Sequence, residues 1–145
     1  MSDYLSAQLT NTDAVPAVMT QPNERGKLRC LYFNYIIPVG DLAIAKTLEL
    51  VRLRKGARIL GGHFSNTALS TGGGTAKAAI GDGTTANKFK AATTVDAASS
   101  FDFATTPAEN CGLALTQDTS IIATVDTEAW VAAGEIRGYV LFLGD

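Results

Sequence analysis

Histidine is almost absent from this sequence: His63 is the only one in 145 residues. First-row metal centres generally want at least two nitrogen or sulfur ligands, and cupin-type sites on jelly-roll barrels use several histidines with a carboxylate. One imidazole cannot furnish that set, and it allows at most one Ser-His-Asp or Cys-His arrangement. Cysteine is nearly as scarce. Cys30 and Cys111 are too few to staple a secreted scaffold, and spacing leaves open whether they pair. Charged residues make up only 18% of the chain, 12 Lys+Arg against 14 Asp+Glu, which argues against wholesale binding to nucleic acid or acidic membranes. No apolar run approaches the ~18–20 residues that span a bilayer. Residues 1–20 carry Asp3, Asn11 and Asp13 with neither a basic start nor an apolar stretch, so they do not read as a secretory leader. The expectation is a soluble intracellular product with no cofactor.

What is abundant is apolar and β-forming. Hydrophobic residues are 46% of the sequence, enough for one domain with a real core. From Lys27 onward, short segments rich in Val, Ile, Leu, Tyr, Phe and Thr alternate with Gly, Asn and Asp clusters. Expected strands cover 27–37, 47–53, 57–66, 75–80, 101–104, 112–115, 120–125 and 135–143. Alternation is clearest at the end, where Ile136, Gly138, Val140 and Phe142 share one face and Glu135, Arg137 and Tyr139 the other. Ile121, Ala123 and Val125 repeat it. In 47–53, Glu49, Val51 and Leu53 oppose Leu48, Leu50 and Arg52, so neither face is purely polar. Lys55 and Gly56 mark a tight turn, Gly72 to Gly74 a loose connection, and Gly81, Asp82 and Gly83 another turn. Residues 43–46 and 126–133 could each form about one helical turn, the second with Asp126 as N-cap. Eight short strands joined by Gly/Thr/Ala loops predict an all-β fold, an antiparallel β-sandwich of jelly-roll type over 27–145, with a closed barrel as the alternative.

Residues 1–26 have no sustained period of 2 or 3.6 and include Pro16 and Pro22, which reads as an extended N-terminal arm. Stretched out, it would reach roughly 80 Å, far enough to touch neighbouring subunits. Charge is unevenly spread. Residues 1–26 hold one basic and three acidic side chains, 27–63 seven and two, and 64–145 four and nine. Arg52, Arg54, Lys55 and Arg58 crowd the turn RLRKGAR, which predicts a basic patch at one end of the sandwich, suited to an acidic protein surface. It lacks the interleaved aromatics of a nucleic-acid site. Gly81-Asp82-Gly83-Thr84-Thr85 has neither the Lys-Ser/Thr ending of a phosphate loop nor the closing Glu of a calcium loop, so it reads as a turn. Trp130, the only tryptophan, is either a docking anchor or a core residue.

The motifs occur in a telling order: KLRCLYFNYII, then LRKGARIL at 53–60, IGD at 80–82, DTSIIAT at 118–124 and GEI at 134–136. In this order they resemble the decoration or cement proteins of tailed-bacteriophage heads over residues 27 to 143. The resemblance implies a non-enzymatic virion protein, made in the host cytoplasm, that sits as a homotrimer on the outer surface of the capsid. It implies the major capsid protein as partner, with neighbouring subunits clamped by Pro16, Met19, Pro22 and Arg25 of the arm and by Arg52, Arg54, Lys55, Arg58 and Trp130. A host-recognition or carbohydrate-binding module of a phage fibre is the alternative, and would expose aromatics or calcium ligands at one end.

Overall fold

The computed structural model describes residues 27–37, 42–70, 75–131 and 133–144. The arm residues Pro16, Met19, Pro22 and Arg25, and the glycine run 72–74, lie outside them. Eight strands follow one another: β1 (Lys27–Ile37), β2 (Thr47–Leu53), β3 (Arg58–Asn66), β4 (Lys77–Gly81), β5 (Lys90–Thr94), β6 (Ser99–Phe103), β7 (Thr119–Asp126) and β8 (Gly134–Gly144). They form two four-stranded antiparallel sheets, ordered β1-β8-β3-β6 and β2-β7-β4-β5. Each strand's sequence neighbour lies in the other sheet, except for β4 and β5, which pair directly as a hairpin; this is the jelly-roll order.

The apolar alternation places the core between the sheets. Ile136, Val140 and Phe142 of β8 point inward with Phe33 and Ile37 of β1, Ile59 and Phe64 of β3, and Phe103 of β6. Leu48, Val51 and Leu53 of β2 meet them with Ile121, Ala123 and Val125 of β7 and Ile80 of β4. Phe64 stacks on Phe101 at 4.8 Å between ring centroids, an offset aromatic contact. β-bulges adjust the pattern. The register slips between Glu49 and Val51, so the inward set of β2 is Leu48, Val51 and Leu53 and not a strict alternation. A second slip between Ile59 and Gly61 leaves Leu60 exposed.

Several connections differ from expectation. Residues 112–115 form no strand; one bridge links Arg58 and Ala114, and Gly112 N–H donates to Ile59 O at 2.7 Å, so the segment straps down the start of β3. Asn110 and Gly112 both have positive φ, 61° and 75°, which breaks an extended run. The expected helical turn at 126–133 is absent over its described residues, because β7 runs on through Asp126 and Trp130 bridges Leu42. Residues 43–46 make a simple turn closed by Lys46 N–H on Ala43 O at 3.2 Å. The short 3-10 turn lies instead at Pro107–Glu109, where proline pre-sets φ at its start and the Glu109 carboxylate accepts the Thr105 N–H at 3.0 Å.

Candidate functional site

The turn between β2 and β3 builds the exposed cationic tip of the sandwich. Gly56 has φ +89°, and an added Cβ would meet nothing within 4 Å, so the glycine answers the sign of φ and not a lack of space. Its N–H donates to Leu115 O at 2.8 Å, while Lys55 N–H donates to Asp118 Oδ1 at 2.9 Å. The backbone is thus fixed from both sides, and Arg54 and Lys55 stand exposed with no ion-pair partner among the described residues.

The other two expected members of the patch behave differently. Arg58 is turned in: its Nη1 donates to Gly112 O at 2.8 Å, and its Nε is buried without a partner among the described residues. It ties the strap at 112–115 to β3. Arg52 is exposed on the outer face of β2 but is held by Glu49, through Nε and through Nη2 at 3.1 Å. Ser120 Oγ adds a hydrogen bond to Glu49 at 2.7 Å. The Arg52 and Ser120 hydrogen bonds together lower the Glu49 pKa from 4.5 to about 2. A carboxyl depressed in the folded state contributes stability above pH 4.5 and loses it as pH falls through about 2. An NMR titration should therefore place the Glu49 midpoint near 2, moving up toward 4.5 in Arg52→Ala; a wild-type midpoint near 4.5 would remove the pair.

Trp130 is the clear correction. It is fully buried, its Nε1–H donates to Lys77 O at 3.2 Å, and its own N–H donates to Leu42 O at 2.8 Å. The segment after β7 folds across the open end of the sandwich and plugs it with the indole. A side chain with no exposed surface anchors its own core and not a partner. The same burial removes the aromatic that the carbohydrate-binding alternative relied upon.

His63 lies on the outer face of β3, its Nδ1 2.7 Å from Asp102 Oδ1 and its ring stacked on Tyr139 at 5.7 Å. The nearby Ser65 hydroxyl donates to Arg137 O instead. Cys30 and Cys111 are both free thiols. Asp82 accepts the Thr84 and Thr85 N–H groups at 2.9 and 2.7 Å and Lys88 Nζ at 3.0 Å, so the GDGTT segment is a side-chain-capped turn. Beside it a hollow of about 80 Å³ is bordered by Asp82, Lys88, Phe89, Asn110 and Leu115.

Strand β1 adds a feature beyond the expected site residues. Strand β1 exposes Leu28, Tyr32 and Ile36 on one face and Leu31 and Tyr35 on the other. The signal was present in KLRCLYFNYII, which is apolar at both parities and carries charge only at its first and third residues.

No protein-family model matches the sequence, and no curated protein matches it. Among solved structures, a chain of the cyanophage Pam1 capsid asymmetric unit is similar, with a TM-score of 0.69 and 23% identity over 92% of this chain and 98% of that one. A chain of the Ralstonia phage GP4 capsid follows with a TM-score of 0.64 and 20% identity, covering 83% of this chain and 86% of that one. A chain of the acid-stable capsid of Helicobacter pylori bacteriophage KHP30 has a TM-score of 0.50 and 14% identity over 82% and 95%. These likenesses establish a shared fold: the two-sheet jelly roll described above is also a fold of chains in phage capsids.

Proposed function

We propose that this chain is a capsid decoration protein: a homotrimer on the outer surface of a phage head that clamps neighbouring major capsid protein subunits and has no catalytic role. The observation that carries the reading is that its two-sheet fold parallels a phage-capsid chain across 98% of that chain. The ordered motifs of the sequence support it. Clamping is multivalent: each trimer bridges several shell subunits, so modest contacts combine through effective concentration and resist outward pressure on the shell.

The cationic tip, Arg54 and Lys55, faces an acidic strip of the shell in this reading, with Arg52 held in reserve by Glu49 and Arg58 bracing the turn from within. The test is binding to heads assembled from the accompanying major capsid protein. Wild-type protein is expected to saturate them. The double variant Arg54→Glu, Lys55→Glu should bind about 10- to 100-fold more weakly at low salt. That gap should narrow near 1 M salt, where the Debye length is ~3 Å. Equal binding of variant and wild type at every salt concentration would sink the role of the tip, and wild-type protein that ignores heads would sink the function.

A further inference from the structure

Strand β1 is a long, unblunted edge. Along its eleven residues it pairs with β8 on one side, and among the described residues no strand pairs with it on the other. Sandwiches normally protect such an edge with short length, charge or proline. Here Leu28 is 63% exposed, Tyr32 63% and Ile36 74% on the outer face, while Leu31 and Tyr35 are 37% and 41% exposed on the inner face. The outer patch continues across the sheet through Tyr139 and Leu60. At ~150–250 Å² for a large side chain, these seven half-exposed residues offer roughly 600–700 Å² of apolar surface. Shared between the two faces, that total approaches the ~800 Å² per partner of a stable interface, and the outer patch alone lies at the upper end of what an ordinary monomer exposes.

We propose that the two faces of β1 are the seam along which copies of this chain pack against one another. The inference rests on the decoration-protein reading for the existence of a ring, and adds where the ring is joined. Charge selects a second copy as the occupant. On the outer face Arg137 Nε pairs with Glu135 at 2.7 Å and the His63 ring hydrogen-bonds Asp102 at 2.7 Å, so the apolar inner edge of a second copy packs there without facing an unengaged side-chain charge. The cations of β1 itself, Lys27 and Arg29, stand at the end of the strand that it shares with the tip, where Arg29 Nε donates to Gly144 O at 3.3 Å. Two-sided exposure selects a ring over a twofold dimer, since a cyclic assembly needs two different surfaces on every copy, whereas a twofold needs one self-complementary patch. Direction agrees. Lys27 lies opposite Gly144, and Arg58 opposite Leu143, so β1 starts at the same end of the sandwich as the Arg54–Lys55 tip. Rotation about an axis along β1 turns every tip, and every residue 27, toward one side.

The experiment compares full-length wild type, Tyr32→Asp and Ile36→Asp by light scattering, head binding and cross-linking. Cys30 is exposed on the same outer face, so a bis-maleimide in a Cys111→Ser background reads the seam directly. Wild type is expected to be a multimer and to give cross-linked dimers. Both Asp variants should run as folded single chains, with unchanged circular dichroism and loss of cross-linking. Variants that stay multimeric and cross-link would overturn the seam while leaving the ring intact. Variants that stay multimeric but lose head binding would overturn it in favour of a capsid-protein site on β1. A wild type that is monomeric at all concentrations would remove the ring itself.

Discussion

Gly138→Ala is expected to destabilise the sandwich by about 3 kcal/mol or more and to lower the melting temperature by roughly 10 °C or more. Gly138 lies in β8 between Phe33 of β1 and Phe64 of β3, in the middle of its sheet. The Phe33 ring reaches over it, and its centroid lies 6.3 Å from that of Phe64, tilted by 43°. A Cβ there would lie 1.9 Å from His63 O and 2.5 Å from Phe33 Cζ. A ring alone can swing aside, but the carbonyl belongs to β3 and moves only with the sheet. The same substitution at Gly56 makes a useful contrast. Nothing obstructs a side chain there, so Gly56→Ala should cost only the ~1–2 kcal/mol of forcing an L-residue to positive φ. Thermal melts of both variants check the pair of causes; equal melting points for Gly138→Ala and wild type would mean that the packing around β8 is looser than described.

Deleting residues 1–26 is expected to abolish stable attachment to heads while leaving the melting temperature within about 2 °C of wild type. The described core runs from Phe33 to Phe142 and joins both sheets. In the decoration reading the arm, through Pro16, Met19, Pro22 and Arg25, supplies the contact that crosses from one shell subunit to the next. Losing one arm per copy therefore removes three linked contacts from a trimer at once. Because linked contacts multiply, the loss in avidity should be 100-fold or greater, well beyond the effect of any single arm residue. Sedimentation of heads with bound protein reads it out. Retention of the truncated protein at wild-type occupancy would show that the sandwich alone does the holding.

How legible each element was depended on how much of its pattern was written in large apolar side chains. β1 and β2 have the expected limits because Leu, Tyr, Phe, Ile and Val mark them and turn residues bound them. β5 was missed: Lys90–Thr94 reads KAATT, without one large apolar residue, and it is held in place by pairing with β4. Tertiary pairing overrides a weak local signal. The reverse error fell on GLAL at 112–115, which has strand vocabulary but is bent by positive φ at Gly112 and serves as a strap. Strict alternation left neither face of β2 purely polar because a bulge after Glu49 adds one residue, which puts Leu48 on the same inward side as Val51 and Leu53. At the tip, sequence placed four cations together correctly as neighbours along the chain, yet only Arg54 and Lys55 remain unengaged. Arg58 spends its charge on Gly112, distant in sequence, and Arg52 meets Glu49 across the bulge in β2, and neither is visible in a linear count.

The indole plugging the open end of the sandwich gives the molecule a built-in optical gauge. Being the sole tryptophan, it supplies a single emission band, and its dry surroundings place that band toward the blue while the two sheets hold together. Trp130 precedes the start of β8, at the opposite end of that strand from the Arg54–Lys55 tip, and is fully buried, so docking through the tip should leave its colour alone. Assembly and unfolding can thus be followed in one cuvette, the first by scattered light and the second by a red shift.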